Sequence, residues 1–399
     1  MIAPQAPQYN STLLLSFCID HSPQAGQGGR PFSLGATLGP IRRFFLRGIY
    51  HPPLGFLTFG ILSDILDIRG YLKTLLHHYC EVIVQLRMDM DCVVIGAGVS
   101  GLSSAIRLLE SGHSVRVMAR EFSPDLVSDV AAALWYPFLA HPIEKTDRWG
   151  AETYTELMRL GEEEPMSGIT MRFGREYLRE VVELPGWRDN ITHFRVLDSG
   201  EIPEGWIFGW EFESPIIEMH HYMPWLLQRT RDLGGKIEEC VVEDLAGITA
   251  EVIVNCSGIG ARELCRDTEV KPVRGQIIYI DQDPGFGRFD QQPETLTYTI
   301  ARRDCTVLGG TAQSDDWSLE LRDSDRETIL QKCEAVWPEL DRSKIIGESV
   351  GLRPSRSEVR LESEKINDTL IIHNYGHGGA GVTLSWGCAD EVVSLIEES

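Results

Sequence analysis

Three glycines, Gly96, Gly98 and Gly101, follow the apolar run at residues 92–95 and open a stretch whose apolar residues recur at helical spacing through Leu109. Gly96 permits a tight turn, Gly98 lets the backbone approach a pyrophosphate, and Gly101 permits close packing of helix on strand. The first helical turn, with Val99 and Ser100, would then offer free N–H groups to the anion. Gly112 closes the helix, and residues 115–119 read as a second parallel strand. Glu121 stands 20 residues beyond Gly101, where an acid meets the ribose hydroxyls of a dinucleotide. Arg120 beside it leaves two registers open: Glu121 takes the ribose and Arg120 the phosphate edge, or the pattern is displaced by one residue.

This fingerprint does not by itself separate NAD from FAD. Two later segments bear on that choice. Residues 251–258 form another apolar run ending in small residues, a shape suited to backbone passing close to a cofactor. Residues 369–383 form a third strand, a glycine-rich turn and a helix start, continued by Trp386, Ala389, Val392, Val393 and Ile396 at helical spacing. A cofactor lying between the first and last turns has its phosphates at one helix amino end and its far end at another. That length and polarity fit FAD, because the second amino end would favour negative charge on a reduced flavin pyrimidine.

The charge balance excludes other classes. With 37 Lys+Arg against 59 Asp+Glu, a net −22, the chain is a poor partner for nucleic acid. Residues 1–87 differ, with seven bases against four acids and seven of the 20 prolines. They read as a weakly ordered N-terminal extension or an upstream start, with a loose candidate helix at 65–87 and Met88 or Met90 as a natural beginning for the nucleotide-binding domain. The apolar stretch at 54–66 is too short to span a bilayer, so no membrane partner is expected. Nine widely spaced cysteines with no C-x-x-C pair suit a reducing compartment, and a cytoplasmic protein is expected. No His/Cys/Asp/Glu group has metal-ligand spacing. His220-His221 read as a solvated helix start, and Glu162-Glu-Glu164 as a solvated turn.

The glycine turn Tyr375-Gly-His-Gly-Gly-Ala-Gly381 is more specific. Together with Asp129-Val-Ala-Ala-Ala-Leu-Trp135, Arg274-Gly-Gln276, Leu308-Gly-Gly-Thr311 and Gly351-Leu-Arg-Pro354, it resembles the D-amino acid oxidase family over about residues 90–396. The resemblance implies an α/β fold: a Rossmann-type FAD-binding domain at 88–140, 219–270 and 345–396, interleaved with a β-rich substrate domain at 141–218 and 271–344. It implies that Arg353 grips the substrate carboxylate, Tyr298 hydrogen-bonds the same group, and the carbonyl of Gly379 receives the amine. It further implies that Gly96, Gly98, Val99, Ser100 and Gly101 cradle the pyrophosphate of FAD with Ser128 beside them. Arg120-Glu121 resembles the family's Arg-acid pair, and Val242 matches a backbone contact on the adenine side. Gly378, Gly379, Gly381, Val382 and Thr383 then surround the flavin.

The implied chemistry suits those residue types. A guanidinium fork holds a carboxylate at two points, and hydride transfer from the α-carbon to flavin N5 then needs orientation rather than an acid or base. Molecular oxygen reoxidises the flavin, giving hydrogen peroxide, a 2-oxo acid and ammonia. His377 therefore reads as structural, and Trp135 as core or pocket wall. Members that oxidise acidic D-amino acids carry an extra arginine seven residues before the tyrosine. Here that position is Gln291, with Glu294 nearer still, so neutral D-amino acids are expected. Arg302 and Arg303 would undercut this if either turned inward, although a hairpin position suggests solvent exposure. A glycine or D-aspartate oxidase, an NAD-linked dehydrogenase and a catalytically silent flavin-binding protein are the competing readings. A homodimer is one open option for the assembly. The closing Glu397-Glu-Ser399 is not a peroxisomal tripeptide.

Overall fold

The computed structural model describes residues 89–137, 140–292 and 295–399. The extension at 1–87, with its candidate helix, and Glu294 lie outside the described residues. The described residues fall within one compact unit, His77–Ser399.

The chain opens as its glycines require. β1 (Asp91–Ile95) runs into α1 (Val99–Glu110) and returns as β2 (Ser114–Ala119), parallel to β1 from Asp91↔Ser114 to Ile95↔Met118. A β-carbon on Gly101 would collide with the carbonyl of Gly96, so only glycine lets α1 lie this close to β1. α2 (Ile143–Glu163) leads to three antiparallel strands, β3 (Ile169–Leu178), β4 (Phe194–Val196) and β5 (Phe208–Ile217). The chain crosses back through α3 (Met219–Asp232), β6 (Lys236–Glu239) and β7 (Val252–Asn255). It leaves again for β8 (Lys271–Ile280), β9 (Gly287–Asp290), β10 (Thr297–Ala301), β11 (Thr306–Gly309), β12 (Gln313–Ser314) and α4 (Asp323–Val336). β13 (Ile345–Ile366), β14 (Thr369–His377) and α5 (Gly381–Glu397) complete the fold.

Among the described residues these strands form one sheet, ordered β4-β5-β3-β9-β10-β11-β8-β13-β14-β7-β1-β2-β6, with β12 on β8. The run β14-β7-β1-β2-β6 is parallel and the run from β8 to β4 is mostly antiparallel. This is the expected α/β architecture, a parallel half with a β-rich half returning between its segments. Parallel strands buried on both faces read as continuous apolar runs, and the two central ones, β1 and β7, do. The main core lies where α1, α2, α3 and α5 cover the sheet, around Leu102, Trp149, Leu226 and Trp386.

β13 belongs to both halves. It pairs with β8 from Ile345 to Ser355 and with β14 from Ser355 to Ile366, with an irregularity between Ser355 and Arg360. The expected boundary at 345 therefore falls at the start of a shared strand. Arg353 sits two residues before the change of partner, at the seam.

Candidate active site

A cavity of ≈ 740 Å³ opens beyond the carboxyl ends of β1, β2, β7 and β14, the ligand position of open α/β sheets, and extends beneath β8 and β10. Gly96, Gly98, Val99 and Ser100 line its nucleotide end. Val99 N–H donates to Ser128 Oγ at 3.1 Å, and the N-cap of α1, Gly98, brings no side chain of its own to the remaining N–H groups. Its first turn, also without an acidic residue, is thereby suited to an anion. Gly101 does not line the cavity; its part is to let α1 pack closely on β1. Arg120 and Glu121 flank the mouth, both substantially exposed, and Arg120 Nε donates to Glu121 Oε1 at 3.1 Å. Val242 lines the same end between Val241 and Glu243.

Gly378, Gly379, Gly381 and Val382 line the other end, where β14 turns into α5. Thr383, expected beside the flavin, does not line the cavity. Its hydroxyl accepts from Tyr136 N–H at 3.1 Å and donates to Tyr136 C=O at 3.0 Å, clasping the opposite wall to the head of α5. His377 is buried, with Nε2 at 3.0 Å from Asn374 Oδ1, and burial pushes its pKa down to about 4. A neutral imidazole in the wall agrees with the structural role expected for it. Trp135 is core, 1% exposed, its Nε1 donating to Gly150 C=O at 2.9 Å.

The substrate groups meet beneath the β-rich half. Arg353 lines the cavity and its Nη1 donates to Thr311 C=O at 2.9 Å. A β-carbon on Gly275, in the facing strand β8, would collide with that guanidinium. Tyr298 on β10 is opposite Gly309 on β11, and a β-carbon on Gly309 would collide with its ring. The Arg274-Gly-Gln276 and Leu308-Gly-Gly-Thr311 motifs thus clear space for the arginine and the tyrosine. Burial raises the Tyr298 phenol above its ordinary pKa while the Arg353 charge and hydrogen bond pull it down. The net rise keeps Tyr298 a neutral donor. Arg274 itself is a buried strut, with Nη1 at 2.6 Å from Asp325 Oδ2.

Arg302 departs from expectation. It is 7% exposed rather than solvated, because Nη2 donates to the carbonyls of Ala131 and Ala132, each at 2.8 Å. Ala131 and Ala132 line the cavity, so the arginine turns inward, with Nε and Nη2 engaged by backbone. Nothing in the hairpin sequence signals those acceptors, which lie 170 residues away in the chain. Arg303 stays half-exposed and forms a fork on Glu218, at 2.9 Å through both Nε and Nη2. His220 and His221 are exposed at the start of α3, close enough to Glu218 to share an ion, but that carboxylate is already held by Arg303. Gln291 lines the cavity, as do the apolar Leu134, Leu296 and Ile300.

Residues 91–395 match the family model described as FAD dependent oxidoreductase, DAO. The chain belongs to this FAD-dependent oxidoreductase family. The chain is similar to the D-amino-acid oxidase of Rubrobacter xylanophilus, 46% identical over 316 residues, which covers 77% of this chain and 96% of that protein. It is 38% identical to the D-amino-acid oxidase of Dictyostelium discoideum over 77% of this chain and 92% of that one. It is 34% identical to the human D-aspartate oxidase over 76% and 94%. Among solved structures, glycine oxidase from Bacillus cereus shares the fold, with a TM-score of 0.65 at 19% identity over 77% of this chain and 95% of that one. FAD is the cofactor of this DAO-family enzyme, and the cavity suits it: the amino ends of α1 and α5, whose N-cap residues make no side-chain cap, and a glycine turn at each of them line one space.

Proposed function

We propose that this enzyme catalyses the oxidative deamination of neutral D-amino acids, giving a 2-oxo acid, ammonia and hydrogen peroxide. The carrying observation is the guanidinium of Arg353 laid on the bare face of Gly275, beside a Tyr298 phenol held neutral, in the same cavity as the Gly378-Gly379 turn. Arg353 presents a fixed fork to the substrate carboxylate and Tyr298 donates a further hydrogen bond to it. The backbone carbonyl of Gly379 accepts from the substrate amine. These contacts hold two substituents of the α-carbon, the carboxylate and the amine; room for the side chain in the cavity supplies the third, which fixes its handedness and directs the hydrogen toward the glycine turn. FAD, when bound, takes up the two electrons and hands them to oxygen. No protein base is required, in keeping with the low pKa of His377.

Preference for neutral side chains is supported by Gln291 and by the apolar Leu134, Leu296 and Ile300 in the cavity lining. Among the described residues that line the cavity the cations are Arg353, given to the substrate's own carboxylate, and Arg120 at the nucleotide mouth, so a second carboxylate would find no cation of its own, which disfavours D-aspartate. The cytosol is the setting we propose, since all seven cysteines among the described residues are free thiols. No helix among the described residues is long and apolar enough to cross a membrane.

The test is a peroxide assay over a panel of D-amino acids with L-enantiomers as controls. Neutral D-amino acids should give peroxide and D-aspartate little. Peroxide from L-alanine but not D-alanine would defeat the reading. Arg353→Ala and Arg353→Lys should each remove most activity while FAD stays bound.

A further inference from the structure

Glu176, in β3, is 3% exposed, and the chemistry at Arg353 makes no use of it. Its two carboxylate oxygens lie 3.1 and 2.9 Å from Tyr136 Oη, and Trp210 Nε1 on β5 donates at 3.0 Å. No cation pairs with it among the described residues. Arg175, next on β3, is engaged by Glu201 and Glu211, and Arg195 binds the same two acids. From β9 the facing charge is Asp290, 1% exposed, held by the Thr295 hydroxyl and lying 3.8 Å from Arg179. Burial first, and Asp290 in addition, raise the pKa of Glu176 to about 8, against the hydrogen bonds of Tyr136 and Trp210.

Tyr136 connects this acid to the site. It lines the cavity, and its backbone N–H and C=O both engage the Thr383 hydroxyl at the head of α5. One residue thereby joins a buried acid, the cavity wall and the helix beyond the glycine turn.

We propose that Glu176 is a positioning residue of the substrate site: it anchors the Tyr136 phenol, and when ionised it places an uncompensated negative charge behind that wall. This rests on the proposed oxidation of D-amino acids at Arg353. While Glu176 is neutral, the wall is held by a proton shared between acid and phenol. Once it ionises, the two donors remain but the charge opposes the incoming substrate carboxylate. The effect therefore falls on KM more than on kcat.

The experiment uses the FAD-loaded full-length enzyme with D-alanine and D-leucine at pH 7 and pH 9, comparing wild type with Glu176→Gln. The wild-type KM should rise roughly three- to tenfold across that interval, as a buried charge near the site requires. In Glu176→Gln, which keeps the bulk but cannot ionise, the rise should be lost. Tryptophan fluorescence should show an alkaline step in wild type, reported by Trp210, that is absent from the variant. Identical KM–pH curves in wild type and variant overturn the proposal. If Glu176→Gln does not fold, Tyr136→Phe serves in its place; it keeps the ring and loses the anchor, so KM should rise at pH 7, and a wild-type KM overturns the proposal. Should wild type give no peroxide from any D-amino acid, the substrate reading fails instead. The fluorescence step then decides the placement of Glu176, and its absence overturns that too.

Discussion

The guanidinium of Arg353 lies against the bare α-carbon of Gly275, one strand away, where any side chain would occupy the same space. β13 carries Arg353 to the seam between the two halves of the sheet, and β8 supplies the flat floor on which the fork rests.

Gly275→Ala should therefore act as an active-site mutation although residue 275 need never touch substrate. Displacing the fork removes a charge-assisted contact of about 1.5–3 kcal/mol, or roughly ten- to 150-fold in kcat/KM. Steady-state peroxide kinetics measure the loss. FAD should stay bound, since Gly96, Gly98, Val99 and Ser100 build the nucleotide end and are untouched.

Gly309→Ala tests the second cradle. A methyl group there would push the Tyr298 ring off its cross-strand seat. KM for neutral D-amino acids should rise roughly tenfold with the loss of one hydrogen bond to a charged group. Tyr298→Phe should reproduce most of that rise without crowding the strand, and agreement between the two variants is the check.

The buried acid makes stability depend on pH in a defined direction. Glu176 has a folded-state pKa of about 8 against an ordinary 4.5, so the folded protein holds its proton more tightly than the unfolded chain. The stability contributed by that proton is fully present below 4.5 and is lost as pH rises through about 8. Wild type should lose thermal stability relative to Glu176→Gln between pH 6 and pH 9. Melting temperatures of both proteins at the two pH values give the difference directly, and a constant gap would contradict it.

Arg302 braces the cavity wall from behind, through the carbonyls of Ala131 and Ala132. Arg302→Met would leave the carbonyls of Ala131 and Ala132 without their donors, at a cost of about 1–3 kcal/mol. Because both residues line the cofactor cavity, FAD should bind several-fold more weakly. Titration of apoprotein with FAD, followed by flavin fluorescence, measures the change.

The nucleotide-binding half could be read from the chain because its evidence is local. Gly96, Gly98 and Gly101 act within a few residues of one another, and β1 and β7 carry the buried apolar runs 92–95 and 252–254. The identities of Arg353, Tyr298 and Gly379 came from ordered motifs, and the tertiary structure brings all three to one cavity. Other features depended on pairings distant in sequence. That Gly275 makes room for Arg353, that Gly309 makes room for Tyr298, and that Arg302 turns inward onto Ala131 and Ala132 all arise where separate strands or loops meet. The Thr383 hydroxyl clasps Tyr136, and Glu176 loses water behind it, for the same reason. Backbone turns and burial periodicity are written in neighbouring residues; the partner of a buried polar group is chosen only when the sheet closes, since both the desolvation cost and the hydrogen bond that offsets it come from the far side of the fold.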